Sequence, residues 1–348
     1  MMNPSLTLGA TTTSAGALRP LVEVRDLNVS FVSREETVHA VNGVSFDLLP
    51  GEVLCIIGES GCGKSVTMRA LMRLLPKKRT RIAGHMRVGE DDILTLDEAG
   101  LTRLRGSTVA MIFQEPMTAL DPVYTIGEQI AETVVRHEHC TKSAAMARAL
   151  ELLQMVRVPS PERRLKAYPH ELSGGLRQRA MIAIALSCQP SLLLADEPTT
   201  ALDATVQIQV LVLLRKLQKE FGMGLIFVTH DLGVAAQIAD KVAVMYAGRI
   251  IEYGSAQDVL INPQHPYTIG MLASTVRGQA RGKDIEAIPG SPPDLRSLPK
   301  GCSFAPRCKY AAADCRVAVP QPVAMAEGHS ASCCHIGKLS PTAALAAS

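Results

Sequence analysis

The run Gly58-Glu59-Ser60-Gly61-Cys62-Gly63-Lys64-Ser65 restricts this chain more than any other stretch. An apolar segment, Val53-Leu54-Cys55-Ile56-Ile57, precedes it, and Val66 to Leu75 reads as a helix. A strand, a glycine-rich turn and a helix start together make a cradle for phosphate. The glycines let backbone N–H groups approach phosphate oxygens without a Cβ in the way, and the helix N-terminus adds partial positive charge. In such a cradle Lys64 reaches the terminal phosphates and the Ser65 hydroxyl ligates Mg²⁺.

The segments on either side repeat a strand–helix rhythm. Val22 to Phe31 and Val41 to Leu48 alternate as strands, and Thr108 to Phe113 is a buried-type strand ending at Gln114. Ile126 to Val158 carries apolar residues at helical spacing. Ser173-Gly174-Gly175 opens a helix running through Gln178 and Arg179 into the apolar Ala180 to Cys188. Ser191 to Ala195 and Leu225 to Thr229 are strands separated by a long helix, Ala204 to Phe221, and Lys241 to Tyr253 forms a closing hairpin around Ala247-Gly248. This alternation indicates a mostly parallel sheet with helices on both faces. The basic stretch Lys77, Lys78, Arg79, Arg81 reads as a solvated connector.

Strand ends carry the polar residues. Asp196 closes an apolar strand, the usual setting for a carboxylate that holds Mg²⁺ through water beside a phosphate cradle. Glu197 follows it on the opposite side and is placed to polarise an attacking water. Gln114 and His230 end two further strands, one to touch Mg²⁺ or the water, the other to hydrogen-bond a γ-phosphate. Four strand ends bearing Lys/Ser, Gln, Asp/Glu and His point to one sheet edge as the site. The start of the helix at Ser173 offers a second anion-binding terminus.

The cradle, Gln114, Leu172-Ser173-Gly174-Gly175-Leu176-Arg177-Gln178-Arg179, Leu192 to Glu197, Leu202-Asp203 and Thr229-His230-Asp231 resemble, in order and spacing, the nucleotide-binding domain of ABC transporters. The resemblance covers about residues 21–260. It implies an α/β fold: a P-loop NTPase with the ABC-type ATPase core and a helical subdomain at about 115–175, plus a small Pro- and Cys-rich C-terminal extension over 261–335. It implies ATP and Mg²⁺ as ligands, contacted by Gly58 to Val66, Gln114, Asp196, Asp203 and His230. Phe31 would stack on adenine, and Ser173, Gly174, Gly175 and Gln178 would cap the ATP of a head-to-tail partner. Cys62 stands where the family often has Ser, which adds a thiol to the cradle.

Gln114-Glu115-Pro116-Met117-Thr118-Ala119-Leu120-Asp121-Pro122, Tyr168-Pro169-His170-Glu171 and His265-Pro266-Tyr267-Thr268 are similar to the dipeptide and oligopeptide permease ATPases. That branch implies a second ATPase subunit, a similar chain or another copy. It also implies two membrane-spanning permeases, one docking after Gln114, and an extracytoplasmic binding protein. Nickel, opine and glutathione importers share much of the pattern, and a soluble ABC ATPase is the more distant alternative. For His265 to Thr268 the plain reading is a helix cap packed on the domain.

Composition excludes other classes. Aromatic content of 3% without Trp supplies no base-stacking platform, and a formal charge of +3 does not call for nucleic acid. No apolar run approaches the ~18 residues of a membrane span. Residues 1–20 read as a disordered leader without a secretory pattern, and 336–348 as a disordered tail. A chain built to use ATP without an export signal belongs in the cytoplasm, its nine cysteines as thiols or metal ligands. The importer resemblance implies a peripheral place on the cytoplasmic face of the inner membrane.

Nine prolines lie between Pro263 and Pro322, too many for extended helices or strands. Cys302, Cys308, Cys315 and Cys333, with Cys334 adjacent, follow in a spacing that is neither a zinc ribbon nor a ferredoxin run. Four thiolates could compact such a segment around a metal. The resemblance adds a [4Fe-4S] cluster as a possible occupant; zinc and free thiols remain alternatives, with His329 and His335 as substitute ligands.

Overall fold

The computed structural model describes residues 19–200, 202–274, 287–326 and 328–337. The expected leader up to residue 18 and tail from residue 338 lie outside the described residues.

Among the described residues two sheets organise the chain. The first is antiparallel, in the order β2-β1-β4-β5, from β1 (Val22–Val32), β2 (Thr37–Leu48), β4 (Thr80–Val88) and β5 (Asp91–Asp92). The second has eight strands in the order β11-β12-β10-β9-β3-β8-β7-β6. Its parallel part comprises β3 (Val53–Ile57), β6 (Val109–Ile112), β7 (Leu192–Asp196), β8 (Gly224–Thr229) and β9 (Lys241–Tyr246). Strands β10 (Arg249–Ser255), β11 (Val323–Ala326) and β12 (His329–Ala331) extend it antiparallel.

The parallel strands are buried on both faces, and the two-residue period splits each between two cores. Val53, Cys55 and Ile57 of β3 enter one core, with Leu193 and Ala195 of β7 and Leu225 and Phe227 of β8. Leu54, Ile56, Leu192, Leu194, Ile226 and Val228 enter the other. The helices are α1 (Lys64–Leu71), α2 (Glu98–Ser107), α3 (Pro116–Ala119), α4 (Ile126–Glu138), α5 (Lys142–Met155), α6 (Pro161–Leu165), α7 (Gly174–Ala185), α8 (Ala204–Phe221), α9 (Leu232–Ile238), α10 (Ala256–Ile261) and α11 (Pro266–Ala273). Residues of α4, α5, α7, α8 and α9 fill the first core; α1 and the antiparallel sheet fill the second.

Several expectations are corrected. One face of the parallel strands is covered by α1 and the antiparallel sheet, not by helices alone. The helix after the cradle begins at Lys64 and ends at Leu71, because Arg73 takes a left-handed φ of 49°. The basic connector runs directly into β4, whose mixed burial and charged residues hid its alternation. The long helical stretch breaks at His139, φ 53°, and restarts behind the Thr141 N-cap. The proline-rich segment holds the eight-residue α11, because Pro266 sits in the first turn, where no N–H is needed. Strands β11 and β12 follow Pro322, the last of those nine prolines.

Candidate functional site

The cradle closes between β3 and α1. Gly58 has φ 152°, and a Cβ there would lie 2.1 Å from the Met245 carbonyl oxygen. Gly63 has φ 106°, and a Cβ would meet the Ala40 carbonyl at 2.4 Å. Only glycine fits either position, so the loop keeps its backbone free for an anion. Lys64 is 5% exposed, and its Nζ donates to the carbonyls of Gly58 (2.7 Å) and Glu59 (3.0 Å). The Ser65 hydroxyl donates to Asp196 Oδ1 at 2.8 Å. Burial drives the Asp196 carboxyl above its usual range, a cost that a cation beside it would relieve. A hydroxyl and a buried carboxylate this close fit Mg²⁺, and the glycine loop fits phosphate.

The parallel strands β3, β8, β7 and β6 are neighbours, so their C-terminal ends share one edge. Glu197 follows β7 with a left-handed φ of 46°, which the strand-alternation argument did not foresee. Its Oε2 accepts from Thr200 Oγ1 at 3.0 Å and from Gln114 Nε2 at 3.4 Å, and lies 3.2 Å from His230 Nδ1. An open cleft of about 680 Å³ is lined by Phe31, Glu59, Ser60, Gly61, Gly63, Lys64, Ser65, Val66, Gln114, Glu197 and His230. Gly58 lies beneath it as a lysine acceptor. Val38, Ala40 and Leu295 also border the cleft, although no local sequence signal marked them.

Cys62 is 5% exposed and burial pushes its thiol up, so it is a poor nucleophile. Ser173, Gly174 and Gly175 do not border the cleft. Ser173 and Gly174 are exposed, and the Ser173 hydroxyl makes no capping bond at the start of α7. A Cβ on Gly175 would press on Val206 of α8 at 2.7 Å. Gln178 is buried, and Asp203 caps α8 by accepting from Thr205 N and Val206 N, so neither faces the cleft of its own chain.

The cysteines of the extension gather. Cys302 N donates to the Cys315 carbonyl at 2.8 Å, Cys315 Sγ lies 3.4 Å from His335 Nε2, and His335 N donates to Cys333 Sγ at 3.3 Å. Ligand atoms of Asp314, Cys315 and His335 lie within 4.8 Å of one another. Burial first, and then the charges of Cys302 and Cys308, push the Cys333 thiol up to about 11. Burial also raises Cys302 and Cys308. The thiols of Cys302, Cys308 and Cys333 fall outside that three-ligand group, and a metal bound to them would have to displace their protons. His329 does not join them: it is buried 3.1 Å from Glu252 Oε1.

A glycine cradle, a strand-end carboxylate pair and a strand-end His on one parallel sheet edge define a P-loop ATPase of the cassette type. Residues 41–200 match the family described as ABC transporter, and residues 251–315 match the oligopeptide/dipeptide transporter C-terminal region. The chain belongs to the ABC transporter ATP-binding family, in its oligopeptide/dipeptide branch.

A putative peptide import ATP-binding protein of Brucella melitensis is 49% identical over 328 residues, covering 91% of this chain and 97% of that protein. The oligopeptide transport ATP-binding protein OppD of Salmonella typhimurium is 50% identical over 300 residues, covering 86% and 89%. Among solved structures, a dimeric ATP-binding cassette in a post-hydrolysis state with ADP and Pi superposes with a TM-score of 0.61 at 28% identity. That match covers 68% of this chain and 98% of the cassette.

Proposed function

We propose that this chain is the ATP-binding and ATP-hydrolysing subunit of an importer that takes up dipeptides or oligopeptides across the cytoplasmic membrane. The carrying observation is Ser65, which lines the cleft with Glu197, Gln114 and His230 and donates to the buried Asp196 behind it. ATP enters with its adenine against Phe31 and its phosphates on the loop from Gly58 to Val66. Lys64 exchanges its two carbonyl partners for phosphate oxygens. Ser65, Asp196 and Gln114 would hold Mg²⁺, which would supply charge neutralisation at the phosphates. Glu197 takes a proton from the attacking water, while His230 and Gln114 orient the γ-phosphate and the water. The products are ADP and phosphate.

Residues 21–260 act as the cassette, 115–175 as its helical subdomain and 261–335 as the branch-specific extension. The exposed Ser173-Gly174 turn, outside the lining of the cleft of its own chain, supports a head-to-tail partner. With Gly175, Gln178 and Asp203 behind it, that turn caps the partner's ATP. The partner is a similar ATPase chain or a second copy. Exposed Met117, Val123 and Tyr124 after Gln114 suit a permease docking face, one for each of two permeases. Among the described residues no helix is long and apolar enough to cross a membrane, which suits a peripheral place on the cytoplasmic side. An extracytoplasmic binding protein delivers the peptide.

Cys302, Cys308, Cys315 and Cys333 hold a metal centre, read as a structural [4Fe-4S] cluster, with zinc as the alternative and His335 within reach. The test of the main reading is twofold. Purified chain should hydrolyse Mg·ATP, and in its host it should sediment with membranes until a high-pH wash releases it. A chain that stays wholly soluble there overturns the transport role.

A further inference from the structure

Two residues of the C-terminal extension reach the phosphate cradle, and the hydrolysis described above uses neither. Arg307 donates from Nη1 to Glu59 Oε2 at 2.9 Å and to the Tyr246 hydroxyl at 3.3 Å, and from Nε to the Pro289 carbonyl at 2.8 Å. Its side chain is only 7% exposed, so the ion pair to Glu59 is poorly screened. Tyr267, in the first turn of α11, is fully buried, and its hydroxyl accepts the Glu59 N–H at 3.0 Å.

Glu59 is thereby fixed at three points. Tyr267 takes its N–H, Arg307 its carboxylate, and Lys64 donates to its carbonyl. The partners from the extension stand 208 and 248 residues along the chain. A glycine-rich loop left free must lose backbone entropy each time it closes on phosphate; one held beforehand does not. We propose that Arg307 and Tyr267 are positioning residues for ATP binding, which set the cradle's affinity for phosphate through Glu59 without either side chain touching the phosphate. The inference rests on the reading of the cleft as the Mg·ATP site.

The support for Arg307 comes from the cysteine turn. Arg307 N donates to the Phe304 carbonyl at 2.9 Å, and Cys302 N ties that turn to Cys315 at 2.8 Å. Whatever orders the thiols therefore orders Arg307. The His265-Pro266-Tyr267-Thr268 motif also gains a role beyond capping α11, since its tyrosine is the residue that meets the cradle.

The test is equilibrium binding of Mg·ATP to the full chain, with KM and kcat for ATP beside it. Arg307→Ala should weaken binding about tenfold, with kcat at saturating ATP within about twofold of the unaltered chain. Arg307→Lys, which keeps a cation near Glu59, should recover most of the loss. Because Arg307 acts through Glu59, the Glu59→Ala and Glu59→Ala/Arg307→Ala chains should bind alike. Nucleotide-free melting checks folding. If Arg307→Ala does not fold, Tyr267→Phe, which removes one oxygen, should still weaken binding several-fold. Unchanged affinity in the folded variants, or losses that add in the double variant, overturns the proposal. An unaltered chain that ignores Mg·ATP overturns the cleft reading instead.

Discussion

His230 Nδ1 lies 3.2 Å from Glu197 Oε2, joining the ends of two adjacent parallel strands across the mouth of the phosphate cleft. Gln114 Nε2 reaches the same oxygen from a third strand end at 3.4 Å. The carboxylate is thus aimed by three neighbours, Thr200 included, before any nucleotide arrives.

Glu197→Gln keeps the shape of the side chain and removes its ability to accept a proton. ATP binding should survive, while hydrolysis falls by about 10²–10⁴-fold, the usual worth of a positioned base. Phosphate release and equilibrium nucleotide binding read the two effects separately. Turnover equal to the unaltered chain would take the proton acceptor away from Glu197.

The glycines of the cradle separate conformational strain from steric clash. At Gly61, φ is 78° and a Cβ meets nothing within 4 Å, so Gly61→Ala should cost about 1–2 kcal/mol through strain alone. At Gly63, φ is 106° and a Cβ would lie 2.4 Å from the Ala40 carbonyl and 2.9 Å from Met245 Cε. Gly63→Ala should therefore cost more than about 2 kcal/mol, since backbone must move as well. Denaturant melts of the two variants check the order; equal losses would mean that the clash relaxes freely.

Most of this site is written locally in the chain. Lys64, Ser65, Asp196 and His230 each follow an apolar run, and the parallel fold brings such strand ends together whatever else the sequence does. Arg307, Tyr267 and Leu295 were not legible as site residues, because each meets the cleft or its loop through packing over long sequence separations. Strand β4 escaped for a different reason. None of its residues from Thr80 to His85 is buried, so no apolar alternation announces them, and pairing with β1 decides their conformation. The left-handed turn at Glu197 likewise has no glycine to mark it.

His265 gives the fold a pH dependence with a defined sign. It caps α11, its Nδ1 accepting from Tyr267 N at 3.0 Å, which requires a neutral ring. Burial pushes its pKa from 6.5 down to about 3. Between those values the unfolded chain binds a proton that the folded chain refuses, so stability falls as pH drops below 6.5. The slope from this group is about 1.4 kcal/mol per pH unit, flattening above pH 6.5. His265→Asn keeps a capping oxygen that does not titrate, and should remove about one proton's worth of that slope whatever it does to absolute stability. Melts of both chains from pH 7 to pH 5 check it, and parallel curves would refute the assignment.

The cysteine group makes the last prediction, about composition. Cys302, Cys308 and Cys333 all carry thiols that burial holds protonated, and Cys333 reaches about 11. A metal must displace those protons, so loading should release acid and weaken as pH falls. On the proposed [4Fe-4S] reading, chain purified without oxygen should contain iron and sulfide in equal amounts and absorb in the visible range. Cys308→Ser should lose that absorbance, because a hydroxyl is a poor ligand for iron in a sulfur-rich centre. Zinc in place of iron would leave the four-cysteine site standing and change its occupant. A chain free of both metals would leave the thiols held by packing on Phe304, the Cys302–Cys315 backbone bond and the contacts of Cys315 and Cys333 with His335.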